Sequence, residues 1–478
     1  MTPIEALALR CVLPGFEGSR APDWVLRRAG EGLGGVILFA RNVDHQAQLA
    51  ELTAELHGAR AGLLVAIDEE GGDVTRLEAR TGSSYPGNLA LGVADDPVLT
   101  RDVAAAIGDE LAAAGIDLNL APVADVNSNP MNPVIGVRSF GSDAAAVARH
   151  TAAYIKGMQE AGVAACAKHF PGHGDTAVDS HLDLPVAGED PHLRALAPFR
   201  SAIAADVRSI MSAHIVVPAI DRAPATLSRT IMTGLLRDEL GFAGLAISDG
   251  LEMHGASRGI GIGECAVQAL AAGCDALCIG GERADEAVVD EIVRGVAGAV
   301  ASGRLPESRL REAASRVDAV SAWCSGRNGA SGALGDIGVV AARRAIRADG
   351  AVRVGDEAAV LRFESTPSIA AGDVPWGVAG ELAVRGVRVN GVEVDPAAHD
   401  LAVLVGASSG KSLVLVVRDL HRRPAQAEMI DRLLAARPDA VLVEMGVPSC
   451  RPQGARAYVA THGSARVCGE AAAEVLRP

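Results

Sequence analysis

Short apolar runs, each ending on polar or glycine residues, recur through the first two thirds of the chain. They are GGVILFARN (34–42), GLLVAIDEEGG (62–72), IDLNLAPVADV (116–126), ACAKHFPGHGD (165–175), SIMSAHIVVP (209–218), GLAISDGLEMHG (244–255) and ALCIGG (276–281), with ALALRCVLPGF (6–16) as a further candidate. The runs are continuous in apolar character rather than alternating, the pattern of parallel strands covered on both faces. Between them, apolar residues at three- and four-residue spacing predict helices over 46–57, 97–114, 144–160, 192–205 and 231–240. Seven or eight strand–helix repeats over roughly 320 residues predict a closed (β/α)8 barrel, with a doubly wound open sheet as the alternative. The barrel is favoured because almost every run keeps Asp, His, Lys or Glu at its C-terminal end, where a barrel gathers its active site.

The pattern changes at SAWCSGRNGASGALGD (321–336), a Gly/Ser-rich stretch that reads as a linker. AARRAIRADG then predicts a helix leading to a strand. LVLVVRD (413–419), AEMIDRLLAAR (427–437) and AVLVEMG (440–446) predict a βαβ unit, followed by AYVATHG (457–463) and a closing helix. The expected organisation is an α/β chain: a TIM-type barrel over 1–325, a linker over 326–345, and a smaller C-terminal α/β domain over 346–478.

Composition narrows the partners. The chain of 478 residues holds 44 Lys and Arg against 59 Asp and Glu, a net charge of −15, which speaks against nucleic acid or an anionic membrane. Hydrophobic residues at 49% and charged residues at 22% fit a packed globular chain, and the 3% of aromatics leaves its core to Ala, Val, Leu and Ile. No run approaches the ~18 apolar residues of a membrane span. The start, MTPIEALALRCVLPGFEG, has Glu5 where a secretory signal would carry basic residues. The eight cysteines are scattered, and the Cys274/Cys278 pair lacks the further ligands of a zinc set. Buried reduced thiols and a cytoplasmic location are the expectation.

The densest chemistry lies in KHFPGHGDTAVDSH (168–181), with three His, two Asp and one Lys on a strand end and its Gly/Pro loop. His169 and His173 have a metal-like spacing, but Pro171 and Gly172 forbid the regular helix that would bring them to one face. A general acid/base pair is the competing reading. Asp179 and His181, two apart in an extended loop, project to the same side, so the carboxylate can orient the imidazole and favour its protonated form. A loop merely pinned by Asp–His hydrogen bonds is the plain alternative. Asp249, in SDGLEM after GLAI, stands at a strand end beside Gly250 and can either attack an anomeric carbon or cap the next helix. Asp68, Glu69 and Glu70 of DEEGG, paired carboxylates at a strand end, suit bidentate contact with vicinal sugar hydroxyls or a divalent cation. Arg76, Arg138 and Lys168 are further charged groups near strand or loop ends. The Gly259–Gly263 repeat lacks the strand before it and the acidic residue after it that a dinucleotide site needs.

Together, DEEGG-x3-R (68–76), NPVIGVRSFG (132–141), KHFPGHGDTAVDSH (168–181), MSAHIVVPAIDRAPATLS (211–228) and SDGLEM (248–253) resemble glycoside hydrolase family 3, in its β-N-acetylglucosaminidase branch. The resemblance spans the whole first domain. It implies a retaining exo-β-N-acetylglucosaminidase acting in cell-wall recycling on an oligosaccharide or small molecule with terminal N-acetylglucosamine, with no metal or other cofactor. Asp249 would be the nucleophile, His181 the acid/base and Asp179 its partner. Asp68, Arg76, Arg138, Lys168 and His169 would bind sugar hydroxyls, with His214 behind them. The chain departs from the family in having Glu69 where Gln is usual and Asp73 where a basic residue is usual. Three other readings stay open. A neutral histidine base does not repel an anionic acceptor, so phosphate could replace water; the His-rich loop could hold a metal; or the chain could bind carbohydrate without turning it over.

Overall fold

The computed structural model describes residues 1–178, 184–188, 194–253, 259–280, 285–326, 335–366 and 368–478. By its internal contacts the chain forms two units. The first comprises Met1–Glu70, Thr100–Ile135 and Ser142–Leu334; the second comprises Gly71–Leu99, Gly136–Gly141 and Gly335–Pro478.

In the first unit the short apolar runs become strands β1 (Val12–Pro14), β2 (Gly35–Leu38), β3 (Leu64–Ile67), β4 (Leu118–Asn119), β5 (Ala164–Phe170) and β6 (Ser209–Ser212). A small antiparallel pair, β7 (Val216–Val217) and β8 (Asp221–Pro224), precedes β9 (Leu245–Ile247) and β10 (Leu277–Ile279). The order β2-β3-β4-β5-β6-β9 forms one parallel sheet, β1 pairs in parallel with β10, and a bridge from Ile247 to Ala276 links β9 to the start of β10. Leu13, Ile37, Ala66, Leu118, Cys166, Met211, Ile247 and Cys278, one from each of these eight strands, meet in a single buried cluster. Side chains from every strand can converge in this way only if the sheet curls around them. Val317 and Val320, from the helix Glu307–Ser325, join the same cluster.

The connecting helices begin where the sequence supplies caps. Asp143 accepts from the Ala146 N–H at 2.8 Å to start Ala144–Glu160, and Asp285 accepts from Val288 at 3.0 Å to start Glu286–Ala301. Gly157 lets its helix press against a neighbour: a Cβ there would stand 2.0 Å from the Arg101 carbonyl oxygen. No helix among the described residues is long and apolar enough to cross a membrane.

The second unit is built on a six-stranded sheet of β11 (Arg347–Asp349), β12 (Glu357–Phe363), β13 (Arg388–Val394), β14 (Ser412–Val417), β15 (Val441–Glu444) and β16 (Ala457–Ala460). Its order is β11-β16-β15-β14-β12-β13, parallel except for the edge strand β11. Alternate residues feed two cores, Val360, Val414 and Val443 on one face and Leu361, Leu415 and Leu442 on the other. β13 and β14 flank β12 on opposite sides, so the strand order reverses there, and the carboxyl ends of β12 and β14 border the crevice where open α/β sheets receive ligands. The sequence pattern announces neither β12 nor β13. The helix Ile337–Ala345 occupies the second half of the stretch expected as a linker.

Candidate active site

In the first unit the carboxyl ends of the strands carry the ionisable groups. β3 runs straight into Asp68, Glu69 and Glu70, whose turn is held by Asn119 at the end of β4. The Asn119 Oδ1 accepts from the Glu69 N–H at 3.0 Å, and its Nδ2 donates to the Glu69 carbonyl at 2.8 Å. The Tyr154 hydroxyl donates to the same carbonyl at 3.3 Å. This fastening aims Asp68 and Glu70 at Lys168 on β5. The ammonium lies 2.6 Å from the Asp68 Oδ1 and 2.8 Å from the Glu70 Oε1, with Lys168 and Glu70 side chains each 3% exposed. A lysine so enclosed holds its charge by facing carboxylates, and it fixes both of them in return.

The next residue, His169, turns to Asp125, on the loop after β4. The His169 Nδ1 stands 2.7 Å from the Asp125 Oδ2, and the backbone N–H groups of His169 and His173 also donate to that carboxylate. Burial would raise the Asp125 carboxyl, but His169 and His173 outweigh it and hold the group below the ordinary value of 3.8. His173 is pushed down by its own burial, which favours the neutral ring. The Thr176 hydroxyl donates to the His173 carbonyl at 3.0 Å, so its oxygen is left to accept from the His173 Nδ1–H at 2.7 Å. Asn132 closes the network by donating to the His173 carbonyl at 2.8 Å. Gly174 is required here, since a Cβ would fall 1.9 Å from the Val126 carbonyl oxygen.

Asp249 follows β9 by two residues and is partly exposed. Its Oδ1 accepts from the Gly250 N–H at 2.8 Å, and its charge bears on His173. Ser248 is buried and accepts from the Cys278 N–H at 3.0 Å, which ties this strand end to β10. The His214 Nε2 donates to the Gly250 carbonyl at 2.9 Å and its Nδ1 meets the Thr226 hydroxyl at 2.8 Å. His214 therefore steadies the turn that bears Asp249.

Of the residues read from the sequence, Asp68, Lys168, His169 and Asp249 all stand at the carboxyl ends of the first unit's parallel strands. Arg76 and Arg138 belong to the second unit. The Arg76 Nη2 donates to the Ala370 carbonyl at 2.8 Å, and the Asn88 Nδ2 donates to the Arg138 carbonyl at 2.7 Å. Asp179 and His181 lie outside the described residues. Glu70, one of the paired carboxylates of DEEGG, takes its place beside Lys168, whereas the sequence reading does not single out Asp125. Asp125 closes PVAD as other acidic residues close their runs, and that signal was available. Among the described residues no three His, Cys, Asp or Glu side chains are grouped as metal ligands.

Comparison with known proteins places the chain in a family. Residues 23–320 match the glycosyl hydrolase family 3 N-terminal domain. A β-hexosaminidase of Thiobacillus denitrificans is 42% identical over 283 residues, 56% of this chain and 78% of that enzyme. β-Hexosaminidase A of Pseudoalteromonas piscicida is 38% identical over 313 residues, 60% of this chain, and the match spans only about half (52%) of that enzyme's length. A solved structure of a family 3 β-N-acetylglucosaminidase from Paenibacillus superposes with a TM-score of 0.89 at 34% identity, covering 100% of this chain and 97% of that one. A curled parallel sheet with its carboxylates, lysine and histidines gathered at one end, joined to these matches, makes the chain a member of glycoside hydrolase family 3.

Proposed function

We propose that this glycoside hydrolase is a retaining exo-β-N-acetylglucosaminidase that removes terminal β-linked N-acetylhexosamine, with Asp249 as nucleophile and an Asp179–His181 pair as acid/base. The observation that carries this reading is the Asp249 carboxylate at the carboxyl end of β9, steadied by His214 and sharing that end of the sheet with the Lys168–Asp68–Glu70 cluster.

His181, kept protonated by Asp179, donates its proton to the glycosidic oxygen while Asp249 attacks the anomeric carbon. The bond to the leaving group breaks and a glycosyl ester forms on Asp249. His181, now neutral, takes a proton from water; the hydroxide oxygen bonds to the anomeric carbon and Asp249 leaves. Two inversions give net retention. Asp68, Lys168 and His169 bind sugar hydroxyls: Asp68 accepts, Lys168 donates, and His169, fixed through its Nδ1 by Asp125, offers its Nε2. Arg76 and Arg138 keep the sugar-binding role that the family resemblance implies. We infer also that the eight strands close into a full (β/α)8 barrel, for which the β1–β10 pair and the Ile247–Ala276 bridge are the support. Cytoplasmic recycling of cell-wall fragments is the proposed setting; the eight cysteines, all free thiols, are compatible with it.

The test is hydrolysis of an aryl N-acetyl-β-glucosaminide, with the anomer of the first-formed sugar followed by NMR. Release of the β-anomer, abolished in Asp249→Ala, is expected. No turnover by the wild-type protein, or an α-anomer as first product, overturns the reading.

A further inference from the structure

The crevice at the strand reversal of the second unit is already occupied, by the chain itself. Arg418 directly follows β14, and its guanidinium pairs with the Asp73 Oδ2. The other oxygen of Asp73 accepts from the Ser464 N–H at 2.9 Å and from the Ser464 hydroxyl at 2.8 Å, just before the helix Arg466–Leu476. The Asp73 side chain is 2% exposed and that of Arg418 14%. A carboxylate this deep, with both oxygens engaged, is a fixed point rather than a surface ion pair.

Three residues on stands Arg76. A bridge between Gly71 and Val74, and the Gly72 N–H donating to the Tyr85 carbonyl at 2.9 Å, make the connection a tight turn rather than a slack strand. The Arg76 Nη2 is held by the Ala370 carbonyl, from the loop after β12, which borders the same crevice. Further along the segment, Glu78 accepts from the Ser84 N–H and hydroxyl, and Arg466 donates to that hydroxyl. The partner of Asp73, Arg418, comes from the C-terminal part of the chain.

We infer that Asp73, Arg418 and Ser464 are positioning residues: they anchor the segment Gly71–Leu99 in the crevice and thereby set the guanidinium of Arg76 for sugar binding. The inference rests on the sugar-binding role proposed for Arg76.

The experiment is a double-mutant cycle on the full chain, read as KM and kcat on the aryl glycoside. Asp73→Asn turns an amide NH2 toward the guanidinium, and is expected to raise KM roughly tenfold with kcat within about threefold of wild type. In an Arg76→Ala background the same change is expected to add less than about twofold. Arg418→Ala should match Asp73→Asn, while Arg418→Lys, which keeps the charge, should recover most of the affinity. An unchanged KM for Asp73→Asn, or an equal factor in both backgrounds, overturns the inference, since a purely structural anchor would act independently of Arg76. An Arg76→Ala variant with wild-type KM overturns the role of Arg76 instead. Hydrogen exchange of the 74–78 amides gives a readout that needs no turnover: Asp73→Asn should speed it about tenfold, and unchanged exchange overturns the anchor even if the proposed hydrolysis fails.

Discussion

The two ends of the first unit's parallel sheet use the same residue types to opposite effect. At the amino end, just before β10, the Asp275 side chain is fully buried among three arginines. It lies 2.5 Å from Arg237, 2.7 Å from Arg309 and 3.0 Å from Arg316, and also accepts from the Ala246 N–H at 2.9 Å. One carboxylate there faces three guanidinium groups. At the carboxyl end Asp68, Glu70, Asp125 and Asp249 share the Lys168 ammonium and the two imidazoles of His169 and His173, one of them pushed toward its neutral form. The amino end is saturated with donors and locks helices to strands. Among these described residues, four carboxylates face one ammonium and two imidazoles, which suits a sugar whose anomeric carbon turns positive on the way to cleavage.

The sharpest way to break this contrast is Asp249→Ala. It is expected to lower kcat/KM on an aryl N-acetylglucosaminide by about 10³-fold or more while leaving the melting temperature within a few degrees. Its counterpart, Asp275→Ala, should do the reverse. Removing the shared acid leaves three guanidinium groups facing one another, at a cost of roughly 3–5 kcal/mol in denaturant unfolding, with turnover per folded molecule little altered. Lys168→Met tests whether the carboxyl end depends on its one ammonium. Asp68 and Glu70 would then face each other without it, and kcat/KM is expected to fall roughly 100-fold. The smallest effect lies in the second unit, at Glu444 on the end of β15. Burial pushes its carboxyl up to about 7, with Asp419 adding to the shift, although the backbone N–H groups of Leu420, Gly446 and Asp419 donate to it. The fold favours the protonated form, so its stabilising contribution is complete below the unfolded value of 4.5 and is lost as pH rises through about 7. Denaturant titrations should lose roughly 1–3 kcal/mol between pH 5 and pH 8, a slope absent in Glu444→Gln.

What the sequence revealed follows from the same physics. A buried parallel strand needs an uninterrupted apolar run, and a ligand-facing end needs a polar stop; GLAI before Ser248-Asp249 and LVAI before Asp68 carry both signals within a few residues. Asp125 was harder to see because β4 is only two residues long and the chain wanders through Ala121–Ala124 before reaching it. The edge strand β13, RVNGVEV, escaped because most of its residues are exposed and an Asn-Gly pair sits in its middle, so no apolar run betrays it. Least legible was the company kept by residues 71–99. Their attachment to the helix Arg466–Leu476 and to Arg418 rests on polar contacts between residues hundreds of positions apart, and no periodicity encodes those. Asp179 and His181 were read from a motif in sequence, where a two-residue spacing suffices to suggest a pair.

Asn119 carries a lesson about how a sheet hands its stiffness to a turn. Its carboxamide offers one acceptor and one donor to the main chain of Glu69, as a further peptide unit of β4 would have done. The ladder is thus prolonged by one rung made of side chain, while the backbone that carries it departs in another direction. Exchanging that amide for the isosteric acid would keep the acceptor for the Glu69 N–H but set an oxygen against the Glu69 carbonyl, breaking half of the rung without altering its shape.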